Sequence, residues 1–114
     1  ALDLARTETP LAGVVSVHSI LTAPDNITPK SITTPILVLH GYQDPMVLPE
    51  QVLAFADEMK RTNANWELCA YGNAVHAFTN PKANDPDFGT VYDPVADKRS
   101  WQRMVSFLEE CFTQ

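Results

Sequence analysis

Pro35-Ile36-Leu37-Val38-Leu39-His40-Gly41-Tyr42-Gln43-Asp44-Pro45 is the segment from which the rest of the chain is read. Its first half is apolar without a break and shows no alternation with polar residues. A strand of that kind is buried on both faces, as in a parallel sheet covered by helices on either side. Its second half turns abruptly polar, so the strand stops there. Upstream, Gly13-Val14-Val15-Ser16-Val17-His18 is a β-branched run of the same type. Between the two lies a loop rich in Pro24, Asp25, Asn26 and Pro29.

Downstream, Pro49 to Thr62 carries helix signals at both ends. Pro49 suits the first helical position, Glu50 lies in the first turn, and Lys60 and Arg61 lie in the last. Val52, Phe55, Ala56 and Met59 recur at helical spacing and predict one core-facing stripe. Asn65 to Tyr71 alternates more clearly, as expected of a strand at a sheet edge. Asn80 to Tyr92, with Pro81, Pro86 and Gly89, reads as an ordered loop. Asp93-Pro94 caps a last helix running to about Phe112, with Trp101, Met104, Val105, Leu108 and Phe112 as its expected buried stripe. Ala1 to Arg6 is a helix stub without a start, too short to be stable alone, and it reads as the continuation of something longer. Strands alternating with helices imply an α/β fold: a three-stranded parallel sheet in sequence order, flanked by helices.

The 114 residues suffice for one domain. Apolar residues make up 45% and charged residues 19%, a globular balance. The net charge of −6, with no Lys/Arg cluster, argues against nucleic acid or an anionic membrane surface as partner. No apolar run is long enough to span a bilayer. Cys69 and Cys111 stand in no metal-ligand spacing and read as small buried hydrophobes, which fits a reducing cytoplasm. Trp66 and Trp101 read as core residues.

Chemistry concentrates at two places. One strand ends in Gly41-Tyr42-Gln43-Asp44, the next in Gly72-Asn73-Ala74-Val75-His76. Functional groups of open α/β sheets gather beyond the carboxyl ends of parallel strands, so Asp44 and His76 are expected to meet. A histidine held by a carboxylate can take a proton from a nucleophile and return it to a leaving group. Each residue alone has a plainer reading, Asp44-Pro45 as a turn and His76 as a surface histidine. His18 and His40 read as hydrogen-bonded core or pocket-lining histidines. A metal site from His18, His40, His76 and Asp44 has no local ligand spacing behind it.

Three segments carry a resemblance: Leu37 to Pro45, Tyr71-Gly72-Asn73-Ala74-Val75-His76-Ala77-Phe78-Thr79, and Tyr92-Asp93-Pro94 with Ala96-Asp97 and Arg99-Ser100-Trp101. In this order they resemble the acid-bearing strand end, the catalytic-histidine loop and the last helix of the dienelactone hydrolase family, within the α/β-hydrolases. Ala1 to Arg6 resembles the helix that follows the nucleophile elbow. The resemblance implies the C-terminal part of an ester or lactone hydrolase, with His76 as general base and acid and Asp44 as its orienting carboxylate. It implies no metal or organic cofactor.

Two departures qualify it. The family's G-x-[C/S]-x-G-G turn is absent, because none of Gly13, Gly41, Gly72 and Gly89 frames one. The N-terminal strands of such a fold are likewise not represented, so residues 1–114 are expected to be inactive alone. Where the family proper has an arginine four residues after the histidine, this chain has Asn80, which points to an ester other than dienelactone. The strand Gly13 to His18 would have a bare edge, so a homodimer through that edge or through helix faces is expected. The alternative is a free-standing, non-catalytic interaction module built on a hydrolase remnant. A third reading is residual esterase activity from a surface Cys or Ser near His76; Cys69 is the nearest in sequence but lies within a strand rather than on an elbow.

Overall fold

A computed structural model describes residues 1–29 and 31–113. The elements are α1 (Leu2–Arg6), β1 (Val14–Val17), β2 (Ile36–Gly41), α2 (Pro49–Arg61), β3 (Trp66–Tyr71), β4 (Asn84–Asp85), β5 (Thr90–Val91) and α3 (Pro94–Phe112). β1, β2 and β3 form a parallel sheet in that order, and β4 and β5 form a separate antiparallel pair. Every residue of β2 is buried, which is why its sequence lacks alternation. β3 is an edge with Glu67 and Ala70 exposed, and β1 is the other edge.

The strand period of two sorts side chains onto two faces. Val14, Ile36 and Val38 face α1 and α2 and pack with Leu2, Ala5, Phe55 and Met59. Leu37 and Leu39 face α3 and pack with Phe78, Ala96 and Phe107. Trp66 stands edge-on to Phe55, with centroids 5.8 Å apart, so it serves the core. α2 begins as its sequence predicts: the Gln51 side chain accepts from the Leu48 amide at 2.7 Å, and Pro49 needs no hydrogen-bond partner. α3 is capped by Asp93, whose Oδ1 accepts from the Val95 and Ala96 amides, each at 3.0 Å.

Three expectations are corrected. The inner line of α3 is Ala96, Ser100 and Phe107, flanked by Met104, Leu108 and Cys111. Trp101, Val105 and Phe112 are exposed, at 61%, 37% and 73%. The apolar arc of α3 is wider than one stripe, and a sequence does not say which half of a wide arc meets the sheet. Trp101 instead walls a cavity of about 510 Å³ shared with Val17, His18, Leu39 and Met104. The loop Asn80 to Tyr92 contains the β4–β5 hairpin, whose strands are too short to leave a periodic signal.

Candidate active site

β2 leads into the turn that carries Asp44. Gly41 is its last residue, and a Cβ there would stand 2.7 Å from the Val75 carbonyl oxygen and 2.8 Å from that of Ala74. The absence of a side chain therefore lets the end of β2 pass directly beneath the loop that follows β3. The turn after Gly41 is fixed by backbone bonds: Tyr42 N donates to Tyr71 O, Gln43 N to Ala74 O and Asp44 N to Gly41 O, each at 3.0 Å. The Asp44 side chain is fully buried. Its Oδ1 accepts from the Met46 amide at 2.8 Å, and its Oδ2 lies 2.8 Å from His76 Nδ1. The two residues predicted to meet from 32 positions apart are thus in direct contact.

An ionised carboxylate only accepts, so in the neutral imidazole Nδ1 carries the proton and Nε2 is the basic nitrogen. The His76 side chain keeps 23% of its exposure, enough for Nε2 to be reached. Ala77, next in the chain, adopts φ of 58°, a left-handed conformation that a non-glycine residue reaches at a cost.

His18 follows β1 directly, with φ of 37°. Its ring lies 5.5 Å from that of His76 and 5.3 Å from that of Phe78, edge to face in both cases. His18 Nε2 is 2.9 Å from Thr79 Oγ1, a bond that ties β1 to the histidine loop across 61 residues. Burial lowers the His18 pKa from its ordinary 6.5, and the neighbouring His76 adds to the effect. His18 is therefore a hydrogen-bonded, pocket-lining histidine, as its sequence position suggests.

His40 departs from that expectation. It is 2% exposed, and neither ring nitrogen has a partner among the described residues. By strand alternation it shares the α1 and α2 face with Val38, away from the cluster that holds Phe78. Burial lowers its pKa as well. Ser16 Oγ is likewise buried without a partner among the described residues.

No group of three or more potential metal ligands occurs among the described residues. Burial raises the pKa of the Cys69 thiol, which disfavours the nucleophilic thiolate. Burial and the neighbouring Cys69 push the Tyr71 hydroxyl up to about 12. Two contributors escaped sequence reasoning, Thr79 and Gly89. Thr79 offered no signal beyond its nearness to His76, whereas Gly89 follows the turn-forming run Asp85-Pro86-Asp87.

The model of the dienelactone hydrolase family matches residues 1–112. An uncharacterized Caenorhabditis elegans protein is 36% identical across 98% of this chain, which covers 73% of that protein. A solved dienelactone hydrolase-like promiscuous phosphotriesterase, P91 from metagenomic libraries, is similar with a TM-score of 0.83 and 36% identity. A solved structure named m3DLH is similar with a TM-score of 0.81 and 34% identity. This chain is covered to 96% and 97% by those two structures but spans 46% and 47% of them, about half their length.

Proposed function

The chain belongs to the dienelactone hydrolase family, and on that premise we propose that it forms the C-terminal part of an ester or lactone hydrolase domain, with Asp44 and His76 as acid and base of a nucleophile–His–Asp triad. The observation that carries this reading is the 2.8 Å contact between His76 Nδ1 and a fully buried Asp44 carboxylate beyond adjacent parallel strands. In the reaction, His76 Nε2 takes the proton of a Cys or Ser nucleophile as it attacks the ester carbonyl. The carboxylate of Asp44 stabilises the imidazolium, and the proton then passes to the leaving alkoxide. Water reverses the sequence and frees the acid. The nucleophile lies outside residues 1–114, so this chain alone does not turn over ester. Asn80 in place of an arginine favours substrates other than dienelactone.

The test has two steps. The gene is read upstream of the codon for Ala1, where a G-x-[C/S]-x-G-G turn is expected within about ten residues. A reading frame opening at Ala1 would overturn the hydrolase reading in favour of a non-catalytic interaction module. In the polypeptide that carries the turn, Asp44→Asn lowers kcat on an activated ester by about 10⁴-fold. His76→Ala abolishes the triad's contribution, and turnover indifferent to it would also sink the assignment.

The free thiols of Cys69 and Cys111 fit a cytoplasmic location. The unpaired side of β1 and the exposed Trp101 and Phe112 support self-association of these residues as a two-fold dimer.

A further inference from the structure

We propose that the β4–β5 hairpin sets the separation of Asp44 and His76, with Gly89 as the positioning residue. The inference rests on reading that pair as acid and base. Asp44 and His76 stand on turns beyond different strands, and a 2.8 Å contact between two such groups requires both backbones to be held. The Asp44 turn is held by the Gly41 and Ala74 carbonyls. His76 is held by the hairpin: its amide donates to Gly89 O at 3.0 Å, and its carbonyl accepts from Val91 N at 3.3 Å. His76 and Thr90 thereby form an isolated parallel bridge.

The hairpin in turn rests on the acid's turn. Gly89 is buried with φ of 88°, and a Cβ there would lie 2.2 Å from Pro45 Cγ and 2.8 Å from Pro45 Cδ. The Gly89 backbone therefore lies flat against the ring of the residue after Asp44, while its carbonyl grips the backbone of the base. A single peptide unit spaces one partner from the other. Gly89 N closes the hairpin by donating to Asp85 O at 3.0 Å, and Asp85 Oδ1 accepts from Phe88 N at 3.2 Å. A side chain at position 89 has no room unless the hairpin lifts, and His76 would be carried with it. A displacement of about 1 Å in a catalytic constellation can cost on the order of 10² in rate.

The experiment compares the 114-residue chain with its Gly89→Ala, Pro45→Ala and doubly substituted forms by nitrogen-15 NMR of the imidazole rings. Spectra are taken well above the ordinary imidazole pKa of about 6.5. The unsubstituted chain is expected to show His76 locked with its proton on Nδ1. Gly89→Ala is expected to lose that signature and drift toward the Nε2–H form of a free imidazole, while the amide signals of β2 and α3 stay in place. Pro45→Ala removes the colliding ring atoms but leaves an alanine at φ of 88°, so the double variant regains the signature in part only. A folded Gly89→Ala chain with the original His76 tautomer overturns the inference. Should Gly89→Ala not fold, the exposed Asp85→Ala loosens the hairpin without touching Asp44, Pro45 or His76, and an unaltered tautomer there is equally decisive. None of these readouts needs turnover, so they fail separately from the hydrolase reading, which fails on ester kinetics.

Discussion

Asp44 and His40 lie four residues apart at the end of one buried strand, and their surroundings differ completely. Asp44 finds an amide for one oxygen and an imidazole for the other. His40 finds nothing for either nitrogen among the described residues. An unpaired buried imidazole is tolerated only while neutral, so burial lowers its pKa from 6.5. The unfolded chain then binds a proton that the folded chain refuses. Stability is complete above pH 6.5 and is lost as pH falls toward the folded value, by up to about 1.4 kcal/mol per pH unit for such a histidine. His40→Leu is expected to reduce this slope in urea titrations between pH 5 and 8 and to stabilise the chain at pH 7 by on the order of 1 kcal/mol. A variant with the original slope would show that His40 is not the titrating group. The contact of Asp44 with His76 was legible because the carboxyl ends of neighbouring parallel strands lie along one edge of the sheet. The isolation of His40 was not, since a sequence does not reveal which polar groups lack partners.

Single elements show the same division. The three strands and the two long helices were readable from apolar runs, Pro49, Asp93 and the basic last turn of α2. The contacts of α1 were not. Five residues cannot hold a helix by themselves, and α1 is docked by the buried Arg6. Arg6 forms two hydrogen bonds to the Glu58 carboxylate on α2, at 2.7 and 2.9 Å, and a third to Leu21 O at 2.5 Å. Nothing in the sequence joins Arg6 to a residue 52 positions away. Arg6→Ala leaves the Glu58 carboxylate and the Leu21 carbonyl without this donor, a loss of about 3–5 kcal/mol. The urea midpoint should fall while the denaturant slope is retained. A loss near 0.5 kcal/mol would mean that α1 is held by Leu2 and Ala5 alone.

At the scale of the molecule, the principal extents are 38, 34 and 19 Å, a slab. Trp101 and Phe112 are exposed on the α3 side, while among the described residues no strand lies beside the outer edge of β1. If two copies cover these surfaces, sedimentation equilibrium gives twice the monomer mass. Trp101→Glu with Phe112→Glu then returns a monomer with unaltered circular dichroism, because neither side chain belongs to the core. A monomer of the unsubstituted chain at high concentration would remove the dimer.

The sequence order of β1, β2 and β3 also bears on how the chain is made. β2 and β3 each leave the ribosome after the neighbour they join, so the sheet can grow by addition at one side. The Asp44 turn can settle only once β3 and Ala74 have followed, since Tyr42 and Gln43 donate to the Tyr71 and Ala74 carbonyls, and His76 acquires its backbone partners later still, when Gly89 and Val91 emerge. A nascent chain halted before the hairpin would therefore hold its parallel sheet, yet would lack the segment that holds the His76 backbone.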